Sequence, residues 1–146
     1  MLENEVKMQI PSHSTNESFA RMAITAFFAQ LDPTIDEIAD IKTAVSEAVT
    51  NCIVHAYANE IGIIHIHAKI FSGRRVYVRI RDKGCGIQDI KQAMEPMFTT
   101  CNNGERAGLG FAVMQSFMDQ VRVTSKPGRG TTVVLIKTLR SRDSQV

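Results

Sequence analysis

Residues 61–86 read IGIIHIHAKIFSGRRVYVRIRDKGCG. From Ile61 to Phe71 and again from Arg75 to Arg81, apolar residues alternate with polar ones, the period of a strand with one buried face. Ser72-Gly73 between them has the small, flexible chemistry of a hairpin turn. Gly84-Cys85-Gly86 then closes the second strand in a glycine-rich turn. Towards the N-terminus the period changes. Ile38, Ile41, Val45, Ala48, Cys52 and Ile53 recur at helical spacing up to about Ala56, behind the capping box Thr34-Ile35-Asp36-Glu37. Asp32-Pro33 separates this helix from an earlier one, opened by a second expected capping box at Ser14-Thr15-Asn16-Glu17 and carrying a stripe of Phe19, Met22, Ala23, Ala26, Phe27 and Gln30. Val6, Met8 and Ile10 alternate to one face of a first strand spanning Val6 to Ile10.

Towards the C-terminus a short helix is expected near Gln88 to Ala93. An aperiodic loop of about 12 residues from Thr99 to Gly110 follows, a length at which loops are commonly functional lids. Leu109 to Met118 reads as a helix. Val121 to Ser125 and Thr131 to Leu139 read as a last hairpin across Pro127-Gly128-Arg129-Gly130. The tail from Ser141 is polar. Two hairpins separated by helices predict a single α/β domain over 1–146: a two-layer sandwich of a mixed, mostly antiparallel sheet with helices on one face.

The chain has 146 residues, 44% of them hydrophobic and 22% charged, a balance that can bury a core. Its 17 Lys and Arg against 15 Asp and Glu leave a net charge of +2, with no basic run beyond Arg74-Arg75, which argues against nucleic-acid binding. No apolar stretch is long enough for a membrane span and the first residues are acidic, so a soluble, cytoplasmic protein is expected. Cys52, Cys85 and Cys101 have neither disulfide-framework nor zinc spacing. His65 and His67 share a strand face, but with no acidic or thiol ligand beside them they read as a solvent-facing strand rather than a metal site.

Three features could carry chemistry. Glu47 and Asn51 stand one turn apart on the long helix, so their side chains lie together, as they also would on a solvated face. Asp82-Lys83-Gly84-Cys85-Gly86 follows a strand, where the glycines could serve a tight turn alone. Gly108-Leu109-Gly110 runs into a helix, and amides there, on Cα atoms bearing only hydrogens, let a phosphate approach closely.

In combination these features are far more specific. A Glu-x-x-x-Asn helix, then D-x-G-x-G, then a lid ending in G-x-G, then a Gly-Thr-Thr strand start resembles the ATP-binding fold shared by gyrase, histidine kinases and mismatch-repair ATPases. The stretches at residues 16–21, 29–34, 45–51 and 97–100 are similar to those of the anti-sigma F factors of sporulating bacteria. That resemblance implies an ATP-dependent, Mg²⁺-requiring serine kinase that sequesters a sigma factor and phosphorylates an anti-sigma-factor antagonist. By matching position it implies Glu47 as general base or orienting carboxylate, Asn51 as Mg²⁺ ligand, and Asp82 with Thr131 at the adenine amino group. Gly84 and Gly86 would let the backbone pass close to the base. Arg106, Gly108 and Gly110 would hold the β- and γ-phosphates of ATP or ADP, with Thr99 and Thr100 in the same lid. Cys101 stands where the family pattern calls for a basic residue. Arg21 matches a basic position in the first helix and is the candidate sigma contact, against the plain reading of a solvated helix arginine.

Other functions fit parts of this pattern. They are a non-catalytic module switched by nucleotide, the catalytic half of a histidine kinase, and the related kinase of stress-response sigma factors, which shares the nucleotide residues. A homodimer is also implied by the resemblance, and the apolar face of the first strand, in a sheet with helices on one side only, suggests an interface for it.

Overall fold

The alternation in residues 61–81 becomes a hairpin in the computed structural model, which describes residues 1–94 and 110–141. β2 (Ile63–Phe71) and β3 (Arg75–Arg81) pair antiparallel, turning Ile64, Ile66, Ala68, Ile70, Val76, Val78 and Ile80 to one side, where all are buried. β1 (Leu2–Pro11), β4 (Gln120–Lys126) and β5 (Gly130–Thr138) complete a sheet of order β1-β2-β3-β5-β4, every described pairing being antiparallel. α1 (Thr15–Phe28) and α2 (Ile35–Asn51) pack on the buried side with α4 (Phe111–Phe117), and α3 (Ile90–Ala93) lies near β4. Fully burying a side chain such as Ile66 or Phe28 contributes about 1.5–3 kcal/mol, so this single layer of contact dominates the stability of the fold.

Thr34 caps α2 as its sequence predicts. Its hydroxyl accepts from the Glu37 amide at 3.1 Å, and the Glu37 carboxylate accepts from the Thr34 amide at 3.0 Å. Glu37 also accepts from the Arg140 amide at 2.8 Å, tying the end of β5 to the start of α2. Burial works to raise the Glu37 pKa, but the hydrogen bonds from Thr34 and Arg140 outweigh it and hold the carboxyl below its ordinary value. A depressed carboxyl pKa gives stability that is present above the unfolded value and lost as pH falls through the folded one. Thr34→Ala is expected to cost about 1 kcal/mol in urea unfolding at pH 7. Glu37→Ala should cost more, because it frees the Arg140 amide as well.

Three expectations need correction. Ser14 sits at φ −58°, ψ −32°, already helical, and its hydroxyl caps nothing, because an N-cap must leave the helical region to offer its side chain to the first turn. Glu17, expected to reach back to Ser14, instead accepts from Ser46 Oγ of α2 at 2.5 Å. The buried stripe is Ala20, Ile24 and Phe28 with Phe27 partly buried beside it, while Phe19 and Met22 of the expected stripe are exposed. Val6, Met8 and Ile10 face Ala68, Ile66 and Ile64 across β2 and pack against the chain's own core, Ile10 buried and Val6 and Met8 half-buried. His67 is buried rather than solvent-facing, with Glu5 of β1 at 3.5 Å from its Nε2, since the neighbouring strand supplies the acid that the local sequence lacks.

Candidate functional site

Asp82 follows β3 in the parity of Val78 and Ile80, which sends its carboxylate under the sheet towards α2, where it is buried. Its Oδ1 accepts from the Gly84 amide at 2.9 Å and the Thr131 amide at 3.2 Å. Cys52 Sγ donates to Oδ2 at 3.6 Å, a weak donor by nature. Burial raises the Asp82 pKa above the ordinary carboxylate value despite these hydrogen bonds. The Cys52 thiol is pushed well up by burial and by the adjacent Asp82, which keeps it protonated as a donor. Tyr57 holds the loop from behind. Its hydroxyl accepts from the Lys83 amide at 2.6 Å and donates to the Ile63 carbonyl at 2.9 Å.

α2 continues into a π-helical turn at Cys52–Ala56, a feature often found at functional sites. The Ala56 carbonyl accepts from the Cys85 amide at 3.2 Å and lies where a Cβ on Gly84 would be. Gly86 is held as closely against the Lys126 carbonyl. Close backbone packing thus already calls for glycine at both positions. Gly130, at φ +114°, abuts the Asp82 carbonyl. Gly130→Ala combines a disfavoured φ with that clash. It is expected to destabilise by about 1–3 kcal/mol, read as a lowered urea midpoint, and to displace Asp82.

Glu47 and Asn51 lie one turn apart on α2, Glu47 partly exposed and Asn51 buried. Gly110, at φ +70°, opens α4 directly against the Glu47 carboxylate, leaving no room for a Cβ. Asn51, Cys52, Asp82, Gly86, Phe111 and Thr131 help to line a cavity of about 30 Å³ between α2 and the sheet. A larger cavity, about 330 Å³, lies beyond the Asp82 loop, lined by the cations Arg81, Lys83, Lys126 and Arg129, and takes in neither Glu47 nor Asn51. Asp82 and Thr131 line both cavities, and the smaller one adds Asn51 and Gly86 to them, while Glu47 lies outside both.

Arg21 sits on α1 with its Nε 3.7 Å from Glu17, in an intrahelical ion pair. Thr99, Thr100, Cys101, Arg106 and Gly108 lie outside the described residues. Sequence reasoning missed Cys52, Tyr57 and Ser125. Of these Ser125 was within reach, because the expected register of the last hairpin sets it opposite Thr131.

Among the described residues no group of three or more His, Cys, Asp or Glu could hold a metal ion. An Asn51 ligand to Mg²⁺ is compatible with this, because Mg²⁺ takes few protein ligands and completes its shell with water and phosphate. No helix among the described residues is long and apolar enough to cross a membrane.

A buried carboxylate under a sheet, faced by a helix bearing Glu and Asn, belongs to a known class: residues 10–137 match the family model of the histidine kinase-like ATPase domain. The anti-sigma F factor of Thermoanaerobacter sp. (strain X514) is 58% identical over 138 residues, covering 94% of this chain and 96% of that protein. That of Clostridium novyi (strain NT) is 50% identical over 142 residues, covering 97% and 99%. Among solved structures, the RsbU and RsbW domains of Rv1364c from Mycobacterium tuberculosis align with TM-score 0.69 at 21% identity, over 95% of this chain and 34% of that one. The catalytic domain of histidine kinase ThkA aligns with TM-score 0.57 at 14% identity, over 94% and 97%, and both likenesses speak to the fold alone. The chain belongs to the histidine kinase-like ATPase family and, within it, to the anti-sigma F factors.

Proposed function

We propose that this protein is an ATP-dependent anti-sigma factor that sequesters a sporulation sigma factor and phosphorylates a serine on its antagonist. The observation that carries the reading is the buried Asp82 carboxylate opposite α2, with Oδ2 open to a donor stronger than a thiol and Glu47 and Asn51 on the facing helix. ATP would supply the γ-phosphoryl group, and bound Mg²⁺ would neutralise charge on it. Asp82 accepts a hydrogen bond from the adenine amino group, with Thr131 in the same network, and Gly84 and Gly86 let the backbone pass beside the base. Asn51 would hold the Mg²⁺. Arg106, Gly108 and Gly110 bind the β- and γ-phosphates, with Thr99 and Thr100 from the same lid. Glu47 orients the incoming serine hydroxyl and takes its proton as the oxygen bonds to phosphorus and ADP leaves. Positioning and charge neutralisation supply most of the catalysis in such a transfer.

The partner surface in this reading is α1. Phe19 and Met22, one turn apart on α1 and 56% and 60% exposed, form an apolar patch of the kind partners bury, and Arg21 lies round the helix from it beside Glu17. A nucleotide can bias sigma binding only by binding the free and complexed forms differently. Sigma affinity measured in ATP is therefore expected to exceed that in ADP, and Arg106→Ala to narrow the difference. Equal affinities in the two nucleotides would remove the switch. A homodimer belongs to the same reading, and light scattering at micromolar concentration should give twice the 16.2 kDa chain mass.

A further inference from the structure

Ser125 of β4 and Thr131 of β5 form a registered cross-strand pair, in the parity of Val123 and Val133 and so on the core side of the sheet. Their hydroxyl protons can be placed by elimination. Ser125 Oγ lies 3.0 Å from the Gly130 carbonyl, which can only accept, and 2.8 Å from the Ile87 amide, which can only donate. Ser125 thus gives its one proton to Gly130. The 2.8 Å contact between the two hydroxyls must then be made by the proton of Thr131. Thr131 has none left to offer the cavity it lines, and its Oγ1 can only accept there. Asp82 is an acceptor too. Its Oδ1 is occupied by two amides, and its Oδ2 has only the thiol of Cys52 at 3.6 Å.

We propose that Ser125 is a specificity-determining residue: by fixing Thr131 as an acceptor beside Asp82, it makes the cavity select a 6-amino purine nucleotide and reject a 6-keto one. This rests on the nucleotide reading above and goes beyond it in naming the group that sets the polarity of Thr131. An exocyclic amino group brings two donors to two acceptors. A keto oxygen brings a third acceptor to that position, and the N1–H that accompanies it can serve only one of the two protein acceptors, so the other faces the keto oxygen with no donor between them, which is disfavoured. Removing the Ser125 hydroxyl lets the Thr131 hydroxyl rotate and donate, which a keto group can use. Ser125 acts through Thr131 and is a positioning residue, so its signature is a changed ratio of affinities rather than a common loss.

The experiment titrates ATP and ITP, whose purines differ at position 6, calorimetrically onto the full chain, the S125A variant and the S125T variant. The unmodified protein should prefer ATP by at least about tenfold. S125A should raise ITP affinity and narrow that preference by about tenfold, and S125T, which keeps a hydroxyl, should restore it. Equal weakening of both nucleotides by S125A, or failure of S125T to restore the ratio, would overturn the proposal. Should circular dichroism show S125A unfolded, Thr131→Val removes the acceptor at nearly constant shape. It should weaken ATP and leave ITP unchanged, and an equal loss of both would overturn the proposal. If the unmodified protein binds neither nucleotide, the nucleotide reading itself fails, and the role of Ser125 falls with it.

Discussion

Glu47→Ala should leave ATP affinity within a few-fold and slow phosphoryl transfer by about 10²–10⁴, the range for loss of an acid–base group. The separation follows from where the side chain sits. Glu47 is a turn away from Asn51, lies outside the small cavity, and meets the Gly110 backbone at the start of α4 instead. Asn51 does line that cavity. Asn51→Ala should accordingly abolish the Mg²⁺-dependent part of ATP binding, which Glu47→Ala should not. Calorimetry with and without Mg²⁺, paired with single-turnover transfer, separates the two. Transfer at the normal rate by Glu47→Ala would make the carboxylate structural and favour a non-catalytic, nucleotide-switched module.

Asp82→Asn is expected to weaken ATP binding on the order of 10- to 150-fold, the equivalent of about 1.5–3 kcal/mol for a hydrogen bond to a charged group. Its effect on the nucleotide-free protein should have the opposite sense or none. Burial raises the Asp82 pKa in the folded chain, against the hydrogen bonds from Gly84, Thr131 and Cys52. A carboxyl with a raised folded pKa stabilises fully below its unfolded value, and that contribution is lost as pH rises through the folded one. The charged form of Asp82 therefore costs stability. Without nucleotide the Asp82→Asn chain should melt no lower than the unmodified one. A clear drop in melting temperature would mean that the carboxylate is held for the fold rather than for a ligand. In acid, ATP affinity should also begin to fall at a higher pH than an ordinary aspartate would dictate.

The strands were legible in residues 61–81 because period-two alternation is local and one-sided burial leaves no choice of face. Thr34 with Glu37 was legible for the same reason, both halves of the device lying within one turn. α1 was not. Phe19, Met22 and Ala26 form one apolar stripe, and Ala20, Ile24 and Phe28 form another about one residue's rotation away. Periodicity cannot rank two such stripes. The choice is made by packing against α2 and the sheet, where Glu17 also meets Ser46, 29 residues distant in sequence. His67 was misjudged on similar grounds, since its cover comes from the pairing of β1 with β2. In the site, the Glu47–Asn51 spacing and the D-x-G-x-G turn could be read directly. The meeting of Asp82 with Cys52 and Thr131 could not, because it joins three elements that only the folded sheet and α2 bring together. Ser125 lay between these extremes, one register count from Thr131.

Transfer of a phosphoryl group from ATP to a serine of a partner is the activity proposed for this chain. The purified protein incubated with γ-labelled ATP, Mg²⁺ and an anti-sigma-factor antagonist should place acid-stable label on a serine of the antagonist, and Glu47→Ala should place far less in the same time. Absence of transfer, or acid-labile label on the protein's own histidines, would contradict it.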